Sequence, residues 1–166
     1  MGIGTLISVE EYLNTSYDPD VEYVDGVLVE RNVGEWLHSL TQSNIIFALR
    51  TKYPRVYVVP ELRSRVKETR FRLPDVSVLL SPPEGKVLAR APFIAIEILS
   101  ESDSMSRVIE KLKEYAALGT PHIWVFDPRL RQMFSFHANT LREIDGPVIA
   151  ADNPKMELTR DEVFQE

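Results

Sequence analysis

Two carboxylates stand inside apolar strands. The stretch RLPDVSVLL, Arg72 to Leu80, carries Asp75 directly after Pro74. The stretch PFIAIEILS, Pro92 to Ser100, carries Glu97 as the only charged residue between Phe93 and Leu99. A strand apolar on both sides is buried on both sides. A carboxylate buried there must be paired, neutralised or bound to a cation, because leaving it isolated is costly. On adjacent strands Asp75 and Glu97 would make a hard-oxygen pair suited to Mg²⁺ or Mn²⁺. Such an ion can polarise a phosphate oxygen and activate a water. The plainer alternative is that each acid only pairs with an Arg or Lys. Two acids occurring together with apolar flanks favour a site.

Such a site needs a positive charge for the transition state. Two candidates lie on the next amphipathic segment, Ser104 to Leu118. Its apolar residues Met105, Val108, Ile109, Leu112 and Ala116 follow helical spacing. Lys111 and Lys113 flank that stripe on opposite sides, each about 100° from its centre, and either could snorkel along the core edge. Spacing alone does not choose between them. Glu110 and Glu114 point further out and read as solvated. A second group of cations, Arg63, Arg65, Lys67, Arg70 and Arg72, precedes the Asp75 strand. Arg63, Arg65 and Lys67 share a face if the segment is extended. These residues could contact nucleic-acid phosphates or simply form a solvated face.

The elements that must hold these residues are legible along the chain. Ser8 with Glu11 forms a capping-box pattern and predicts a short helix to about Asn14. Val21 to Arg31 reads as a hairpin turning at Asp25-Gly26. Glu35 to Tyr53 suits a long helix ended by Pro54, with Trp36 expected in the core, as is Trp124. Arg55 to Val59 and Leu62 to Phe71 read as extended. Ser81 to Gly85 is a loop between the two acid strands. Gly119 and Pro121 end the 104–118 helix, and His122 to Asp127 is another apolar strand. Gln132 to His137 and Leu141 to Ile144 look like an antiparallel pair, and Thr159 to Phe164 a terminal helical turn. The strand–helix–strand passage from Phe93 to Asp127 requires a parallel crossover. The expectation is one α/β domain over residues 1–166, with a mixed central sheet flanked by helices and an N-terminal hairpin.

Composition bounds the function. A length of 166 residues with 44% hydrophobic content suits a single packed core. A net charge of -6 argues against a protein that coats nucleic acid non-specifically, but leaves room for a local basic patch. With no cysteine, thiolate catalysis and cysteine-bound zinc are excluded. No run is long enough to cross a bilayer, and the N-terminus lacks secretory-leader features, so a cytoplasmic location is the default expectation. Glu61 is expected at the surface, and His122 and His137 receive no role.

The segments RLPDVSVLL, IEILSES and EKLKEYAALGTPHIWVFDP, with the hairpin VEYVDGVLVE, resemble the Uma-type family of putative endonucleases. That family belongs to the restriction-endonuclease-like, PD-(D/E)XK superfamily. The resemblance spans roughly Val9 to Phe136 and implies a restriction-endonuclease-like fold, with Asp75 and Glu97 as metal ligands. In the wider superfamily a lysine stands two residues after the second acid, where this chain has Leu99. In the resembled family a lysine on the next helix replaces it, and the Lys-x-x-x-Tyr spacing selects Lys111 with Tyr115. The resemblance further implies roles for Glu22 and His38. The chain departs from the family's pattern at Glu101, where a proline is usual, and at Ser106 and Arg107, where an Asp often precedes the lysine. The expected function is a Mg²⁺- or Mn²⁺-dependent DNA endonuclease, with a homodimer as the simplest way to cut both strands. The alternative is an inactive nuclease-fold module that binds nucleic acid or protein.

Overall fold

The computed structural model describes residues 5–32 and 34–166. The chain runs through α1 (Val9–Asn14), β1 (Glu22–Val24), β2 (Val27–Val29), α2 (Trp36–Lys52), β3 (Tyr57–Pro60), β4 (Ser64–Lys67), β5 (Arg70–Arg72), β6 (Val76–Leu79) and β7 (Ile94–Ile98). It continues with α3 (Met105–Leu118), β8 (His122–Asp127), β9 (Gln132–His137), β10 (Thr140–Glu143), β11 (Val148–Ala151), β12 (Met156–Thr159) and α4 (Arg160–Phe164). The punctuation predicted from sequence is present. Ser8 Oγ accepts from the Glu11 amide. Asp25 and Gly26 both take positive φ at the hairpin turn, as a type I′ turn requires. Gly119 caps α3 in the left-handed region.

The central sheet has the order β10-β9-β8-β7-β6-β3. β7 and β8 pair in parallel, joined by α3 as the right length of crossover, and the other neighbours are antiparallel. Alternation along β7 divides the core. Ile94, Ile96 and Ile98 face a cluster with Ile45 and Leu49 of α2 and Leu158 and Phe164. Ala95 and Leu99 face the opposite cluster, with Val108, Leu112 and Tyr115 of α3. α2 and α3 therefore cover opposite faces of the sheet. A second sheet, β2-β1-β5-β4, packs Tyr23 and Phe71 against Tyr12 of α1.

The structure adds to and corrects the sequence expectations. The segment Leu62 to Phe71 is two strands, β4 and β5, which belong to the second sheet rather than the central one. The β11–β12 hairpin was not expected, and it completes the α2-side core through Ile149, Met156 and Leu158. Trp124 is buried, but Trp36 is 74% exposed. Trp36 is the first residue of α2, and the helix meets the core only from Thr41 onward. Met105 is exposed for the same reason, since the buried stripe of α3 begins at Val108. Among the described residues no helix is long and apolar enough to cross a membrane.

Candidate active site at one end of the central sheet

β6 and β7 are antiparallel with Val76 opposite Ile96. Continued by one residue, that register sets Asp75 opposite Glu97, and opposed residues point to the same face. The Ile98 amide donates to Asp75 Oδ2 at 2.7 Å, which locks the carboxyl at the strand end. Both acids are buried. Pro74 starts this strand end where no ladder donor is needed.

Glu97 lies between Ala95 and Leu99 on the α3 side of β7, so α3 supplies its partners. Lys111 Nζ donates to Glu97 Oε2 at 2.8 Å, and the Tyr115 hydroxyl donates to Glu97 Oε1 at 2.5 Å. Lys111 and Tyr115 are one turn apart and share a helix face. The same ammonium lies 3.1 Å from Glu22 Oε1 on β1. Lys113 is exposed. Lys111, Glu22 and Tyr115 therefore gather around Glu97.

Asp75 is met from the other side. Its Oδ1 accepts from Arg31 at 2.7 Å and lies 3.3 Å from His38 Nε2 on α2. One turn on from His38, Gln42 donates to the Asp75 carbonyl at 2.8 Å. Arg31, in the loop after β2, was not anticipated from the sequence. It also bonds Glu61, 3.0 Å away and exposed as expected. No periodic pattern marks a loop arginine, so the sequence offered no signal for it.

The charges shift one another. Burial pushes the Glu97 carboxyl up, and Asp75 and Glu22 push the same way against Lys111, bringing it to about 7. Burial also acts to raise Asp75, but His38, Lys111 and Arg31 outweigh it and hold it below the usual carboxylate range. Burial likewise opposes ionisation of Glu22, which Lys111, Arg72 and the Leu73 amide overcome, leaving it lowered. Burial lowers His38, and its hydrogen bond and attraction to Asp75 more than restore it, so the net shift is upward.

Glu114 corrects the expectation of a solvated residue. It is buried, and its carboxylate accepts from Arg72 Nε and Arg70 Nη1, each at 2.6 Å. Arg72 also donates to Glu22 at 3.0 Å. Glu110 is exposed as expected. The basic cluster is thereby redistributed. Arg72 is 5% exposed and enclosed by Glu22 and Glu114, so it cannot meet a phosphate. Arg70 is committed to Asp25 and Glu114. Arg63 pairs with Asp20 and lies 4.4 Å from the Tyr12 ring centroid. Arg65 and Lys67 remain exposed on one face of β4.

Among the described residues no three His, Cys, Asp or Glu side chains form a ready metal cage. Asp75 and Glu97 form a pair. A pair is what Mg²⁺ commonly uses, with waters and substrate phosphate completing the shell. Burial raises Glu97 most, Lys111 offsets it in part, and Asp75 and Glu22 add to the push, a cost that a divalent cation beside the two strand acids would offset. The donor set therefore fits a hard divalent ion.

A model of the family described as Uma2, putative restriction endonuclease, matches residues 9–161. Among solved structures, the crystal structure of a putative nuclease from Anabaena variabilis ATCC 29413 superposes with a TM-score of 0.80 at 24% identity, covering 95% of this chain and 97% of that one. That likeness supports a shared fold. No curated protein matches the chain. The family match spans nearly the whole chain, and the protein belongs to the Uma2 putative restriction endonuclease family.

Proposed function

We propose that this member of the Uma2 family is a divalent-metal-dependent DNA endonuclease. The observation that carries the reading is that Asp75 precedes and Glu97 follows the last β6–β7 pair, Val76 with Ile96, with the Lys111 ammonium 2.8 Å from Glu97. Asp75 and Glu97 would hold Mg²⁺ or Mn²⁺. The bound ion would supply Lewis-acid activation of a phosphate oxygen and of a water. Lys111, fixed between Glu97 and Glu22, offers a preorganised positive charge to the negative charge that develops on the phosphate. Tyr115 and the Ile98 amide hold the two carboxyls in place. Water adds to phosphorus, one P–O bond breaks, and a proton passes to the leaving oxygen, giving a phosphate monoester and an alcohol. Arg65 and Lys67 are the exposed members of the basic cluster and the proposed phosphate contacts. Two copies would cut both strands most simply as a homodimer, acting in the cytoplasm.

The test is plasmid cleavage with Mg²⁺ or Mn²⁺. Asp75→Asn, Glu97→Gln and Lys111→Met should each lose about 100-fold or more of the rate with an unchanged circular dichroism spectrum. Variants that cut as well as the parent would sink the mechanism. A second reading, a binding module without catalysis, is favoured by the protein-internal partners on both Asp75 and Glu97. Calorimetric titration separates the two. Mn²⁺ binding that is lost in Glu97→Ala supports the enzyme, and no binding at millimolar metal supports the module.

A further inference from the structure

Asp75 is crowded on the side of Oδ1. That oxygen faces both Arg31 at 2.7 Å and His38 at 3.3 Å, while Oδ2 accepts from the Ile98 amide. A cation that takes Asp75 as a ligand meets a guanidinium already in hydrogen-bond contact. The two basic groups of the site are held differently. Lys111 projects from a helix and is clamped between the buried Glu22 and Glu97. Arg31 projects from the loop after β2, and its second anchor, Glu61, is 45% exposed at the side chain. A surface-anchored ion pair is weakly held compared with a buried one. The charge balance points the same way. Glu22, Asp75 and Glu97 carry three negative charges against the three positive charges of Arg31, Lys111 and Arg72, which also pairs with Glu22, so these six groups balance when all are ionised, before His38 beside Asp75 is counted. A dication added to that set makes it positive, and withdrawal of Arg31 or Lys111 lessens the excess. The less firmly held one is Arg31.

We propose that Arg31 is an exchangeable counter-ion of Asp75, displaced when a divalent cation binds, and that this competition sets the metal affinity of the site. The inference rests on the reading of Asp75 as a metal ligand. It gives Arg31 a positioning role, keeping the Asp75 carboxyl in place until metal arrives.

The test is calorimetric titration of Mn²⁺ into the full chain at fixed pH and ionic strength, for the parent, Arg31→Met and Arg31→Lys. Arg31→Met should bind Mn²⁺ about tenfold tighter or more. Arg31→Lys keeps the charge without the guanidinium fork and should fall between. It also covers the case in which Arg31→Met does not fold. Thermal melts should show a lower metal-free Tm in Arg31→Met and a larger Mn²⁺-induced rise. Equal or weaker Mn²⁺ binding in both variants, with the parent binding well, overturns the role of Arg31 alone. No binding in any of the three proteins overturns the metal-site reading and this inference with it.

Discussion

Lys111 Nζ lies 2.8 Å from Glu97 Oε2 and 3.1 Å from Glu22 Oε1, so one ammonium joins the second strand acid to the opening hairpin. Burial disfavours that ammonium, but Glu97, Glu22 and Asp75 outweigh it and raise its pKa. Lys111→Met would leave Glu22 and Glu97 buried without their shared cation. The expected cost is about 3–5 kcal/mol, the usual range for breaking a buried pair, read by urea denaturation. Lys113→Met, at an exposed position two residues on, should stay within about 0.5 kcal/mol of the parent. Equal effects at the two lysines would contradict the assignment of Lys111.

Glu114 ties α3 to the second sheet through Arg72 and Arg70. Burial works against its ionisation, and the two arginines overcome that and lower its pKa. A double-mutant cycle on Arg72→Met and Glu114→Gln should give a coupling energy of about 1 kcal/mol or more. Additive losses would mean that the pair is a bystander.

How much of this was readable beforehand depended on periodicity. Asp75 and Glu97 stood out because each interrupts an apolar strand, and the crossover from Phe93 to Asp127 followed from strand–helix–strand order. Glu114 escapes a reading by periodicity because the apolar stripe is not the only buried face of α3. Glu114 follows Lys111 by three residues, so it shares the flank that faces β1 and β5, where Arg72 and Glu22 wait. A helix with two partners buries a polar face that a single hydrophobic stripe does not reveal. Arg31 was invisible because its placement depends on a loop path, and no repeat in the sequence encodes one.

Titration should distinguish the two sides of the site. In chelator-treated protein, Glu97 and His38 have folded pKa values above their unfolded ones, about 4.3 for Glu and about 6.5 for His. Their contributions are complete below those unfolded values and are lost as pH rises through the folded ones, for Glu97 through about 7. Glu22, Asp75 and Glu114 are shifted down, so their contributions hold above the usual carboxylate range and vanish as pH falls through the folded values. Tm should therefore peak in mildly acidic buffer and fall on both sides. Glu97→Gln should flatten the decline between about pH 4 and pH 7. A decline over that range that survives unchanged in Glu97→Gln would assign it elsewhere.

The position of Leu99 gives a test of whether the site needs its charge on a helix at all. Residues 97 and 99 of one strand point to the same face, about 6.6 Å apart along the chain. Leu99 packs on the α3 side among Val108 and Leu112, the latter adjacent in sequence to Lys111. A lysine at 99 can run its methylenes along that cluster and bring its ammonium toward Glu97. Leu99→Lys combined with Lys111→Met should recover about tenfold or more of the metal-dependent cleavage lost in Lys111→Met alone. It should not recover full stability, because Leu99 packing is sacrificed and Glu22 still lacks its cation. A double variant as inactive as Lys111→Met, yet folded by near-ultraviolet circular dichroism, would show that the α3 origin of the charge matters beyond its presence beside Glu97.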